Sequence, residues 1–127
     1  MKHTRLLTIL SLLSVVLLSL HITDDIVRGI SPPGADNLGA VAIFVVWLCG
    51  ILLLSERRSG YLIMFLGGLF GAAMPVLHMR GSGYVRAASS SGGFFFIWTL
   101  FAVGTTGVLA MILAARGFWL LRPGKAR

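Results

Sequence analysis

Residues 6–25 read LLTILSLLSVVLLSLHITDD. The first fifteen carry no Asp, Glu, Lys or Arg, and the stretch closes on a histidine and two carboxylates. A basic start at Lys2 and Arg5 gives it the outline of a secretory signal peptide. However, Leu18-Ser19-Leu20-His21-Ile22 offers no small-x-small cleavage site. The stretch therefore reads as a retained first membrane helix.

Working outward, three further runs free of charge follow at Leu38–Leu54, Tyr61–Met79 and Phe94–Ala115. None alternates with period two, and an open sheet edge cannot be satisfied in lipid, so each reads as a helix. A spanning helix needs about 20 apolar residues. The expectation is an all-α polytopic membrane protein: one domain over 1–127, an up-down-up-down bundle of four transmembrane helices at about 5–23, 38–54, 60–79 and 94–116. Between them, residues 21–37 begin as helix and break at Pro32-Pro33-Gly34, and 55–60 form a tight basic turn. Residues 80–93, rich in Gly and Ser, read as a flexible outer loop, and 117–127 as a basic cytoplasmic tail.

Composition agrees. Of 127 residues, 57% are hydrophobic and 12% charged, against about 25% charged in soluble domains. A soluble enzyme, a disordered tail and a disulfide-rich module are excluded. The net charge of +7 flanks the apolar runs and reports topology rather than nucleic acid, which is not expected as a partner. Lys2, Arg5, Arg57, Arg58, Arg116, Arg122, Lys125 and Arg127 fall on one side of four alternating spans, and Arg28, Arg80 and Arg86 on the other. That asymmetry predicts both termini in the cytoplasm, and the compact build suggests a bacterial inner membrane.

Small and hydroxylic residues suggest how the helices meet. Gly67-x-x-x-Gly71 places two bare backbone patches on one face, Gly104 and Gly107 permit close approach in the fourth run, and Thr99 and Thr106 share a face. Pro75 should kink the third helix. Thr4, Thr8, Ser11, Ser14 and Ser19 form an inward stripe expected to bond to neighbouring helices. Trp47 needs a partner if it turns inward, and Cys49 reads as a small buried residue.

One polar cluster stands out at the outer face: His21, Asp24, Asp25, His78, Arg28 and Arg80. His21, Asp24 and Asp25 stand at i, i+3 and i+4, and His78 shares a face with Gly67 and Gly71. At 1.5 Å per residue, His21 lies about 22 Å from Leu6 and His78 about 26 Å from Tyr61, so both reach one boundary. Three readings stay open. His21, Asp25 and His78 could hold a divalent metal, since two imidazoles and a carboxylate suit Zn, Fe, Mn or Cu. The groups could bind a proton, a lipid headgroup or a small polar ligand, with Arg28 and Arg80 as anion contacts. Or they could be structural, with Asp24 and Asp25 paired to Arg28.

Function classes follow from the same residues. The sequence points first to a structural, accessory or interaction subunit and names no reaction, with the bilayer and a homo-oligomer or larger membrane complex as partners. A metal- or proton-binding enzyme at the outer face is the alternative. Four helices in so short a chain resemble the small multidrug resistance exporters in outline. That resemblance implies a transporter, but those proteins carry a carboxylate midway along helix one, and residues 6–20 have none.

Overall fold

A computed structural model describes residues 2–31, 34–80 and 82–121. Pro32 and Pro33, Gly81, and the tail cations Arg122, Lys125 and Arg127 lie outside the described residues. The chain forms α1 (Lys2–Val27), a 3-10 turn (Ala35–Asn37), α2 (Leu38–Leu52), α3 (Arg58–Met79), α4 (Ser82–Ala88) and α5 (Gly93–Leu120). Three of these, α1, α3 and α5, are long and apolar enough to cross a membrane; α2, with 15 residues, is a shorter apolar helix. At 1.5 Å per residue α2 extends about 22 Å. It ends at Leu52, so Leu53 and Leu54 belong to the turn rather than to the helix expected over 38–54.

The end of α1 shows how sequence sets a boundary. Gly29 adopts a left-handed φ of 68°. Its N–H bonds to the carbonyl of Ile26, and the N–H of Ile30 to that of Asp25 (3.0 and 2.9 Å). This is a Schellman closure, which glycine makes without a Cβ clash. The helix therefore stops before the Pro-Pro-Gly break expected from the sequence. The segment read as a flexible loop over 80–93 instead carries α4, seven residues long.

α1 buries a seam at Leu7, Ser11, Ser14, Leu18, His21 and Asp25, with Thr4 at its head. The spacing alternates four and three, the period that keeps one stripe facing a partner helix. Thr8 and Ser19 flank this seam rather than join it: Ser19 bonds back to the carbonyl of Val16. α5 buries a matching stripe at Phe96, Thr99, Leu100, Val103, Thr106, Gly107, Ala110, Ala114 and Gly117. α5 packs most extensively along α3, next along α1, while α2 leans mainly on α3.

Contacts between ends give the directions. Thr4 meets Tyr61 at the starts of α1 and α3 (hydroxyl to hydroxyl, 3.2 Å), where Gly117 near the end of α5 also faces the Tyr61 ring. His21 and His78 meet at their far ends, beside Phe96 near the start of α5. So α1 and α3 run together and α5 runs against both. α2 runs against α3, since Trp47 lies over Gly67 and Gly50 against Ile63.

The closest approach is between α3 and α5. A Cβ at Gly107 would stand 2.6 Å from the Ala72 nitrogen and 2.7 Å from the Gly68 carbonyl oxygen. Both are backbone atoms, so only glycine fits without parting the helices. Gly71 lies against Val103 and Gly107, and Gly104 against the ring of Pro75, which sits inside the continuous α3. Two expectations are corrected. Of the α1 hydroxyl stripe, Thr4 reaches a neighbouring helix at Tyr61, whereas Ser14 and Ser19 bond to carbonyls four and three residues back on α1 itself. Cys49 is exposed, because it lies on the side of α2 turned from α3. Outside the seams the surface is apolar: Ile9, Val16, Val45, Val46, Leu66, Val76, Trp98 and Ile112 are each more than half exposed or close to it.

Candidate metal centre

The site forms where the ends of α1 and α3 meet the start of α5. His21 and Asp25, one turn apart on the α1 seam, are 0% and 4% exposed. His78, on the last turn of α3, faces them; its ring centroid stands 4.9 Å from that of His21. Phe96 of α5 closes the floor, 5.0 Å from the His21 ring and 6.1 Å from the His78 ring. Tyr84 of α4 packs on Phe96 in turn, at 6.3 Å.

The hydrogen bonds fix which ring nitrogen carries the proton. The Thr99 hydroxyl donates within α5 to the Phe95 carbonyl at 2.9 Å. It therefore accepts from His21 Nδ1–H, at 3.0 Å. His78 Nδ1 stands 3.0 Å from the Met74 carbonyl, which can only accept, so this nitrogen too bears hydrogen. In the neutral rings both Nε2 atoms then present lone pairs. Both are aimed at Asp25: His78 Nε2 is 3.0 Å from Oδ2, and His21 Nε2 is 3.9 Å from Oδ1.

Three acceptors thus converge with no donor among them. A proton on His78 Nε2 would answer the 3.0 Å contact alone. His21 Nε2 and Asp25 Oδ1 would stay buried without a partner, as they are among the described residues. A buried polar group left so costs roughly 1–3 kcal/mol. A divalent cation answers all three. Their ligating atoms lie within 4.8 Å of one another. Zinc–nitrogen and zinc–oxygen bonds of about 2.0–2.2 Å put tetrahedral ligands about 3.3 Å apart. The three groups are therefore close enough together to hold an ion. The outer bonds also match a metal site, in which each ligating imidazole donates its second N–H to a fixed acceptor.

The rest of the expected cluster separates from this trio. Asp24 turns to the other side of α1 and takes Arg28 Nε at 2.7 Å. Arg28 then spans to the turn before α5, donating to Ser90 Oγ (2.6 Å), Ser91 O (3.0 Å) and Gly92 O (2.9 Å). It braces the α4–α5 turn and does not reach Asp25. Arg80 caps α3, stays exposed and forms no ion pair with either carboxylate among the described residues. Sequence reading missed Phe96 and the role of Thr99 as the acceptor for His21. From the sequence Thr99 reads as a packing residue, and the signal available is its place three residues after Phe96 on the same face. Trp47, 1% exposed, turns inward, and its indole nitrogen has no hydrogen-bond partner among the described residues.

The trio has the composition of an open metal site: two imidazoles, one carboxylate and no thiolate. Such a set leaves coordination positions for water or substrate, unlike a closed four-ligand structural site. Comparison with protein-family models, with curated proteins and with solved structures finds no match, so the meaning of this site is read from its own chemistry.

Proposed function

We propose that this chain is a small integral membrane protein that binds one divalent transition-metal ion through His21, Asp25 and His78 at the outer face of a four-span, up-down-up-down bundle. The observation that carries the metal reading is the convergence of three acceptor atoms, two of them buried without partners among the described residues. The apolar exterior, the three long apolar helices and the shorter α2 support insertion in a bilayer. The Lys/Arg asymmetry supports both termini inside, with the site toward the exterior. The ligand set favours Zn, Fe(II) or Mn over Cu(I), which prefers thiolate and thioether. A metal held by three protein ligands serves exchange or catalysis at its open positions. The expectation of a purely structural or accessory subunit has no observation of its own here: the small-residue faces at Gly67, Gly71, Gly104 and Gly107 are covered from within the chain.

The test is metal content of protein purified in detergent without a His-tag, after exposure to Zn, Fe(II), Mn and Cu in turn. Near one ion per chain is expected in the wild type and in Asp24→Asn, with loss in His78→Ala and Asp25→Asn. No retained ion in the wild type would instead assign His78 and Asp25 to a protonated ion pair that pins α1 to α3.

A further inference from the structure

A second polar site lies one turn beyond the metal ligands, and it is lined by positive charge. Arg28, Ile30, Arg86, Ala87 and Ser90 line an open cavity of about 280 Å³ between the end of α1 and the α4–α5 turn. No carboxylate lines it. Four of the five guanidinium N–H groups of Arg28 are engaged, with Asp24, Ser90, Ser91 and Gly92, which leaves one on Nη2. These bonds hold the Arg28 fork in a fixed direction. Arg86 is different: its side chain is exposed and has no hydrogen bond or ion pair among the described residues. Ser90 adds no donor, since its hydroxyl donates to the Ala87 carbonyl at 2.7 Å. The ligand must therefore be an acceptor of guanidinium N–H groups. Asp24 neutralises Arg28, and Arg86 carries a charge with no counter-ion among the described residues, so the cavity selects an anion. Ile30 and Ala87 make the rest of the lining apolar, which suits a carbon stem attached to that anion.

We propose that Arg28 and Arg86 bind a phosphate group, from a phospholipid headgroup or from a free phosphate. Guanidinium groups match phosphate oxygens in geometry as well as charge. The site stands at the level where the apolar part of α1 ends, which is where headgroup phosphates lie relative to a spanning helix. It is independent of the metal ligands, so it stands or falls separately from them.

The test uses the full chain in a zwitterionic detergent, with short-chain phosphatidylglycerol and inorganic phosphate as probes and native mass spectrometry as the readout. One phosphatidylglycerol per wild-type chain is expected. Arg86→Gln should weaken it about fivefold, the factor that corresponds to about 1 kcal/mol per basic residue near a membrane surface. Because the Arg86 side chain is exposed and unpaired, this variant should melt like the wild type. Arg80→Gln removes the same charge outside the cavity and should leave binding unchanged. Displacement of the lipid by inorganic phosphate at comparable concentration assigns a free phosphate; resistance to a large excess assigns the headgroup. Equal binding by the wild type and Arg86→Gln would overturn the proposal. So would an equal loss in Arg80→Gln, which would show diffuse surface charge, or a wild type that retains neither probe.

Discussion

Thr99→Val separates a metal site from a buried histidine that merely fills space. The substitution keeps the branched shape of the side chain and removes one hydroxyl. That hydroxyl has one job outside its own helix: it accepts His21 Nδ1–H at 3.0 Å, where His21 is 0% exposed. Without it the Nδ1–H is stranded, at a cost of roughly 1–3 kcal/mol. The ring can relieve that cost by moving its proton to Nε2, but an Nε2 bearing hydrogen cannot ligate a metal. Either route weakens binding. Loss of such an outer partner lowers metal affinity about 10–100-fold, or roughly 1.4–2.7 kcal/mol. The assay is titration with Co(II) in detergent, followed by its visible absorption, with Zn competing. Thr106→Val is the control, because its hydroxyl bonds only to Ala102 and Val103 carbonyls of its own helix. It should leave Co(II) affinity within about twofold of the wild type, the scatter expected for a position that shares no partner with the ligands. A Thr99→Val protein that binds Co(II) as tightly as the wild type would refute the assignment of His21 as a ligand held by Thr99.

Three further outcomes are expected. Asp24→Asn should keep the metal yet free Arg28 from α1, and amide exchange at residues 89–93 should quicken while the rest of α5 stays protected. Gly107→Ala should destabilise the fold by about 1–3 kcal/mol, the usual cost of overpacking, because the new methyl meets the backbone of Gly68 and Ala72; a melt in detergent measures it. In a Cys49→Ser background, a membrane-impermeant thiol reagent applied to intact cells should label Ser89→Cys and spare Ser59→Cys; the reverse pattern would invert the proposed topology.

Helix content was legible in the sequence because uninterrupted apolar runs leave few alternatives. The level of the two histidines was legible as well, since 1.5 Å per residue turns counting into depth. What escaped has a physical reason in each case. Pro32-Pro33-Gly34 is the break the sequence advertises, although Gly29 closes the helix first. α4 has too few residues for a periodic signal and sits in a Gly- and Ser-rich segment. Selecting hydroxylic residues over as much as half the circumference of α1 admits Thr8 and Ser19 and leaves out Leu7 and Leu18. Chemistry chose the hydroxyls, but packing chose the spacing of four and three. Arg28 illustrates a further limit: a pairing with Asp24 at i+4 can be counted, but its reach to Ser90, Ser91 and Gly92 depends on a turn whose path no count reveals.

The α1 seam has a consequence for how the helices find their alignment. A stripe of leucine, serine and small residues repeats closely enough that two helices can slide past one another with little loss. His21 and Asp25 break that degeneracy. A slide of one heptad in one direction would set Ser14 against Thr99, with no ring to meet His78. A slide in the other would drive the Arg28 guanidinium into a slot with no exposure, beside Phe96. Half a heptad would offer Leu18 or a bare carboxylate instead. Polar groups at single seam positions are known to fix register in this way. In this chain the same residues that can grip an ion also mark the one alignment in which α1, α3 and α5 agree.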